Sequence, residues 1–132
     1  MKLLHSLSLV LGVVSAQDAT LAQAQPYPTR PITLISPTTA GSGNDMICRI
    51  IGAQLAERLG KPVIVENRPG AGFVTGTAAG ARATPDGYTL VLPGSYALAA
   101  SVTIYRHLPY DPRKDFAPVA LVSEVPSILG RP

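Results

Sequence analysis

The residues of this chain best suited to holding a ligand are small and uncharged. Ser36 to Asp45 read SPTTAGSGND, where a strand-like run ends, hydroxyl residues and glycines follow, and a helical pattern begins. Glycine lets a backbone approach a ligand closely, and the first turn of a helix carries unpaired N–H groups with partial positive charge. Thr38, Thr39, Ala40, Gly41, Ser42 and Gly43 therefore offer N–H and hydroxyl donors suited to a small anion. The charge effect is modest, about 0.3–1 kcal/mol for an exposed anion near a helix terminus, so several donors must act together. Asp45 has two readings: a carboxylate that meets a ligand ammonium group, or an acidic residue capping the helix from its first turn.

Reaction chemistry finds less support. The histidines are His5, in an apolar leader, and His107, alone in YRHLPYDP, and the carboxylates show no paired or metal-like spacing. No metal, catalytic residue or covalent cofactor is indicated. GAGFVTG (Gly70 to Gly76) approaches the dinucleotide fingerprint, but its third glycine comes one residue late, and Asn67-Arg68-Pro69 lengthens a loop that should be tight. Asp86 precedes the third strand instead of closing it, and no Gly-Lys-Ser/Thr is present. Cys48 stands alone, cannot form an internal disulfide, and falls on the inward side of a helix, where it reads as a small core residue.

Two periods alternate behind these loops. PITLIS (31–36), PVIVEN (62–67) and YTLVLPG (88–94) are short β-rich runs bounded by Pro or Gly, and read as strands. Between the first two, Ile47, Ile50, Ile51, Leu55 and Leu59 fall at helical spacing, with Asn44 or Asp45 placed to cap the start and Gly60 to stop it. Val74 to Ala83 predicts a weaker, Ala/Gly-rich helix, PDGY (85–88) a turn, and Ala97 to Arg106 a short third helix. The order βαβαβα with buried-looking strands predicts an α/β parallel sheet covered on both faces. Ligands of such sheets bind outside the carboxyl ends of the strands, where Pro37–Gly43, Arg68–Gly72 and Pro93–Tyr96 emerge.

At the other extreme, MKLLHSLSLVLGVVSA has a basic start, an apolar run and a small-residue cleavage pattern, which predicts a cleavable export signal. Ala22-Gln23-Ala24 is the preferred cleavage point, so residues 1–24 are the expected signal peptide, 25–30 an extension, and 31–122 an α/β lobe. Removing Lys2 and Asp18 leaves the net charge at +3, and the basic residues are scattered rather than clustered. That pattern lacks the footprint of a nucleic-acid binder and fits mild attraction of small anions.

Four stretches, YPTRPITLISPTTAGSGND, LGKPVIVENRPGAG, ATPDGYTLVL and LPYDPRKDFAPVALV, resemble in order and spacing the Bug-type periplasmic solute-binding receptors of tripartite tricarboxylate transporters. The resemblance implies a type II periplasmic-binding fold of two α/β lobes closing over a small carboxylated solute, with transporter membrane components as partners. It implies that Pro37 to Gly43 hold the ligand carboxylate, and that Ala71, Gly72 and Ser95 approach the cleft. Thr38, Ser42, Phe73, Val74 and Ala97 depart from the residues common in that family.

Receptors of this type are more than twice as long as 132 residues. The resemblance therefore implies an N-terminal fragment with the second lobe absent, in which 123–132 begin a crossing strand, an apolar sheet edge is open, and solute binding is weak. Two other readings are a nucleotide-binding α/β enzyme fragment and a truncated product without function.

Overall fold

The computed structural model describes residues 26–124; the predicted signal and most of the predicted crossing strand lie outside them. Three parallel strands form one sheet in the order β2-β1-β3, with β1 at Ile32–Ser36, β2 at Val63–Asn67 and β3 at Thr89–Val91. Ile32 pairs with Val63, and Thr33 pairs with both Ile64 and Thr89. β1 is thus flanked on both edges, and Ile32, Leu34, Ile35 and Ser36 are all buried. A strand so enclosed must be apolar on both faces, which is why PITLIS shows no polar alternation.

Helix α1 spans Gly43–Leu59 and α2 spans Val74–Ala81. A Cβ built on Gly52 of α1 would lie 3.5 Å from Val63 and from Val65, whereas one on Gly80 of α2 would lie 2.9 Å from Val91. Val63 is level with Ile32 and Val91 with Ile35. Residues three apart on a strand point to opposite faces, so the two helices cover opposite faces of the sheet.

The weak helical signal of α2 has a packing reason. A Cβ on Gly76 would fall 2.6 Å from the Arg68 carbonyl oxygen and 2.7 Å from Pro37 Cα, so only glycine lets the helix come this close to the sheet. On the other side of α2, Val74 and Ala78 pack with Tyr110, together with Ala81, Tyr105, Leu108 and Phe116. The chain after the last helix is therefore folded back over α2. Tyr110 meets Phe116 edge to face at 5.8 Å, and its hydroxyl donates to the Ala97 carbonyl at 2.7 Å.

Gly60 ends α1 in the left-handed conformation, φ 65°, with its N–H on the Ala56 carbonyl, as its position predicts. The start differs from expectation. Ser42, not Asn44 or Asp45, is the N-cap, because its extended backbone lets Oγ accept the Asp45 N–H at 3.3 Å. The third helix opens with a wide turn, Tyr96–Ala100, before the α-helical α3, Ser101–Ile104. Ser101 donates back to the Ala97 carbonyl at 2.6 Å.

Residues Ala117 to Glu124 form no regular element. β3 is an edge strand. Beside it lies an open hollow lined by Ile47, Ile51 and Leu55 of α1 and by Leu90 and Leu92.

Gly76→Ala should lower folding stability by about 1–3 kcal/mol, the usual cost of forcing a group into packed backbone. Gly52→Ala, which meets only ordinary contacts and gains helix propensity, should be neutral or stabilising. Urea unfolding followed by circular dichroism checks both, and equal losses for the two would contradict this packing account.

Candidate functional site

The carboxyl ends of all three strands open on one side, and the loops leaving them are the predicted ones. The first loop is held by an internal network. Asp45 is 1% exposed. Its Oδ2 accepts the Gly41 N–H at 2.8 Å and the Arg49 Nε–H at 3.0 Å, and its Oδ1 accepts from Asn67 Nδ2 at 2.8 Å. The same Asn67 amide donates to the Thr38 carbonyl at 3.1 Å, and Arg49 Nη2 donates to Asn67 Oδ1 at 3.3 Å. One carboxylate thus joins the loop, the helix and the end of β2.

A second tie runs to β3. Asn44 Nδ2 donates to the Leu92 carbonyl at 3.2 Å and to Ser36 Oγ at 3.3 Å. Hydroxyls complete the inner surface, with Ser36 Oγ 3.0 Å from Thr38 Oγ1 and Thr38 Oγ1 2.6 Å from Ser42 Oγ. From the sequence Asn44 reads only as a possible helix cap, and Asn67 is not singled out as a site residue. Their positions, one in the first turn of a helix and one closing a strand, are the signal that could have found them.

Electrostatics follow this geometry. The Arg49 guanidinium, then the Gly41 N–H and the Asn67 amide, hold the Asp45 carboxyl down at about 2 against the opposing effect of burial. Asp45 in turn raises Arg49. Cys48 is fully buried, and that burial pushes its thiol up, in keeping with a core residue.

Of the expected ligand residues, Thr39, Ala40, Gly41 and Gly43 are exposed and Thr38 and Ser42 partly so. A Cβ built on Gly41 or Gly43 meets nothing within 4 Å. The loop therefore faces open space where a ligand would approach. The hydroxyls of Thr38 and Ser42 already bond each other, and the Gly41 N–H is committed to Asp45. The first two N–H groups of α1, on Gly43 and Asn44, precede the first intrahelical bond, Met46 N–H to the Ser42 carbonyl, and remain for an outside acceptor. Both Asp45 oxygens are taken up by the loop and its neighbours, which favours the structural of its two readings.

The second and third loops interlock. Gly70, Ala71, Gly72 and Phe73 all have positive φ, at 140°, 45°, 59° and 73°. A Cβ on Gly72 would lie 2.8 Å from Cε1 of Tyr96, so Gly72 also gives room to that ring. Tyr105 donates its hydroxyl to the Ala71 carbonyl at 3.2 Å. Ser95 is exposed, at the start of the third helix, with no side-chain cap bond.

The model of the tripartite tricarboxylate transporter family receptors matches residues 47–132. The chain belongs to that family. It is 41% identical over 123 residues to Protein BugT of Bordetella pertussis, an alignment covering 91% of this chain and 38% of BugT. Among solved structures, MatC of Rhodopseudomonas palustris with bound malate superposes with TM-score 0.69 at 38% identity, over 73% of this chain and 33% of MatC. R. palustris Rpa4515 with adipate gives TM-score 0.60 at 35% identity, over 66% of this chain and 29% of its own. The α/β sheet is thus that of periplasmic binding proteins, and this family member spans little more than a third of the length of the relatives it matches.

The depressed pKa of Asp45 sets a pH dependence. A carboxyl at about 2 in the fold and about 3.9 unfolded stabilises fully above about pH 4. That contribution is lost as pH falls towards 2. Asp45→Asn should melt lower than wild type at pH 7 and show a shallower fall in melting temperature between pH 5 and 2. Parallel curves for the two proteins would remove Asp45 from the acid transition.

Proposed function

We propose that this chain is the solute-capturing part of an extracytoplasmic receptor that takes up a small carboxylate and presents it to the membrane components of a tripartite transporter. The observation that carries the reading is the first loop: an exposed, glycine-bearing turn, tied to both neighbouring strand ends, at which the Gly43 and Asn44 N–H groups precede the first intrahelical bond and have no acceptor within the helix. Such a site recognises an anion by donors already in place, so little ordering remains to be done on binding. The malate and adipate in the structures of MatC and Rpa4515 make a carboxylate the natural occupant.

In this reading Thr39, Ala40, Gly41 and Gly43 form the carboxylate wall. Thr38, Ser42 and Asp45 keep that wall in shape, and Ala71, Gly72 and Ser95 border it from the second and third loops. Residues 26–124 supply one wall of the site, and closure of a facing lobe over the solute is the means of retention. The protein acts as a receptor rather than an enzyme, and its place is the periplasm, reached through the signal expected in residues 1–24.

The experiment is calorimetry of the whole protein carrying this sequence against malate, adipate, other mono-, di- and tricarboxylates, and NAD. Carboxylate binding is expected. Gly43→Val, which adds a branched side chain where no neighbour stands, should weaken it by at least about tenfold, roughly 1.4 kcal/mol, without lowering the melting temperature. NAD binding with no carboxylate response would overturn the receptor reading, and unchanged affinity in Gly43→Val would take the first loop out of the site.

A further inference from the structure

Phe73 has the least expected backbone in the molecule. It sits at φ 73°, a left-handed conformation that is an outlier for a bulky residue. Glycine would adopt it without cost. The side chain adds no capping bond to α2, for which Phe73 is the N-cap, and its carbonyl oxygen alone serves Thr77, accepting that residue's N–H at 3.1 Å and its hydroxyl at 2.8 Å.

Nor does the ring belong to the core. The cluster around α2 is built from Val74, Ala78 and Tyr110 with Ala81, Tyr105, Leu108 and Phe116, and Phe73 itself is half-buried. The ring instead lies on Gly94, 3.5 Å from the place a Cβ would occupy, so it bridges the loops that follow β2 and β3. Gly94 and Leu98 line the same wide hollow as Phe73, together with Asn44 from the start of α1 and, among others, Arg113 and Asp115. Glycine would supply the same carbonyl without strain, and strain kept for a side chain that joins neither the cap nor the core cluster is characteristic of ligand-contacting segments.

We propose that Phe73 is a specificity-determining residue. Its ring and Gly94 form an apolar step beside the carboxylate wall that receives the hydrocarbon body of the solute. The step favours carboxylates with a saturated chain over those bearing a hydroxyl or ammonium group beside the carboxylate, because a phenyl ring and a glycine offer no side-chain partner to polar groups laid against them once water is excluded. The inference rests on the receptor reading above and adds to it the class of solute.

The test compares hexanoate and adipate with malate and aspartate by calorimetry, in the whole protein and in Phe73→Ala and Phe73→Leu. Wild type should prefer the first pair, Phe73→Ala should lose about tenfold in affinity for that pair and under about threefold for the second, and Phe73→Leu should keep most of the preference. Phe73→Gly, freed of the strain, should melt above Phe73→Ala. Equal losses across the four solutes, or a preference that survives in Phe73→Ala, would overturn the specificity role while leaving the receptor reading intact. A wild type that binds none of the four would overturn both.

Discussion

One buried carboxylate, that of Asp45, holds together the loop, helix and strand that meet at the carboxyl end of the sheet. A charge removed from water is tolerated only when its oxygens are occupied by donors, and Asp45 meets that requirement with one group from each surrounding element: the Gly41 amide from the loop, the Arg49 guanidinium from α1, and the Asn67 amide from β2. None of the three is free to move without exposing the others. The shape of the first loop is therefore fixed before any ligand arrives, and Asn44 adds the link to β3 through the Leu92 carbonyl. Small, mobile-looking residues become a rigid surface because their neighbours are tied at the ends of three strands.

The second and third loops use volume rather than charge. Gly72 makes space for the Tyr96 ring, and the Phe73 ring covers Gly94. Each loop thus places an aromatic residue over a glycine of the other. The same economy of side chains explains α2, where Gly76 and Gly80 bring the helix against Pro37 and Val91. The Ala/Gly content that weakens the helical signal is what lets the second face of the sheet be covered so closely.

Much of this architecture was legible in the sequence. Strand and helix positions followed from hydrophobic period and from Pro and Gly boundaries, and Gly60 ended α1 where expected. What the sequence hid were choices among equivalent residues and contacts between distant ones. Asn44 and Asp45, the expected caps, and Ser42, the actual one, differ only in which side-chain oxygen reaches an N–H, and that depends on the backbone entering the helix. The roles of Asn44 and Asn67 depend on the adjacency of three strand ends, which periodicity does not reveal. The first loop was singled out by its composition, whereas the division between its exposed residues and those that hold its shape became visible only with the hydrogen bonds.

The strand at the centre of the sheet is also the first among the described residues. Ile32–Ser36 must wait for Val63–Asn67 on one side and for Thr89–Val91 on the other, so its pairing is assembled late in synthesis, by contacts between distant segments that form slowly. Until β3 has been made, the most buried strand has one edge unpaired. On the export reading this delay is useful, because a chain that cannot close early stays threadable through a translocation channel.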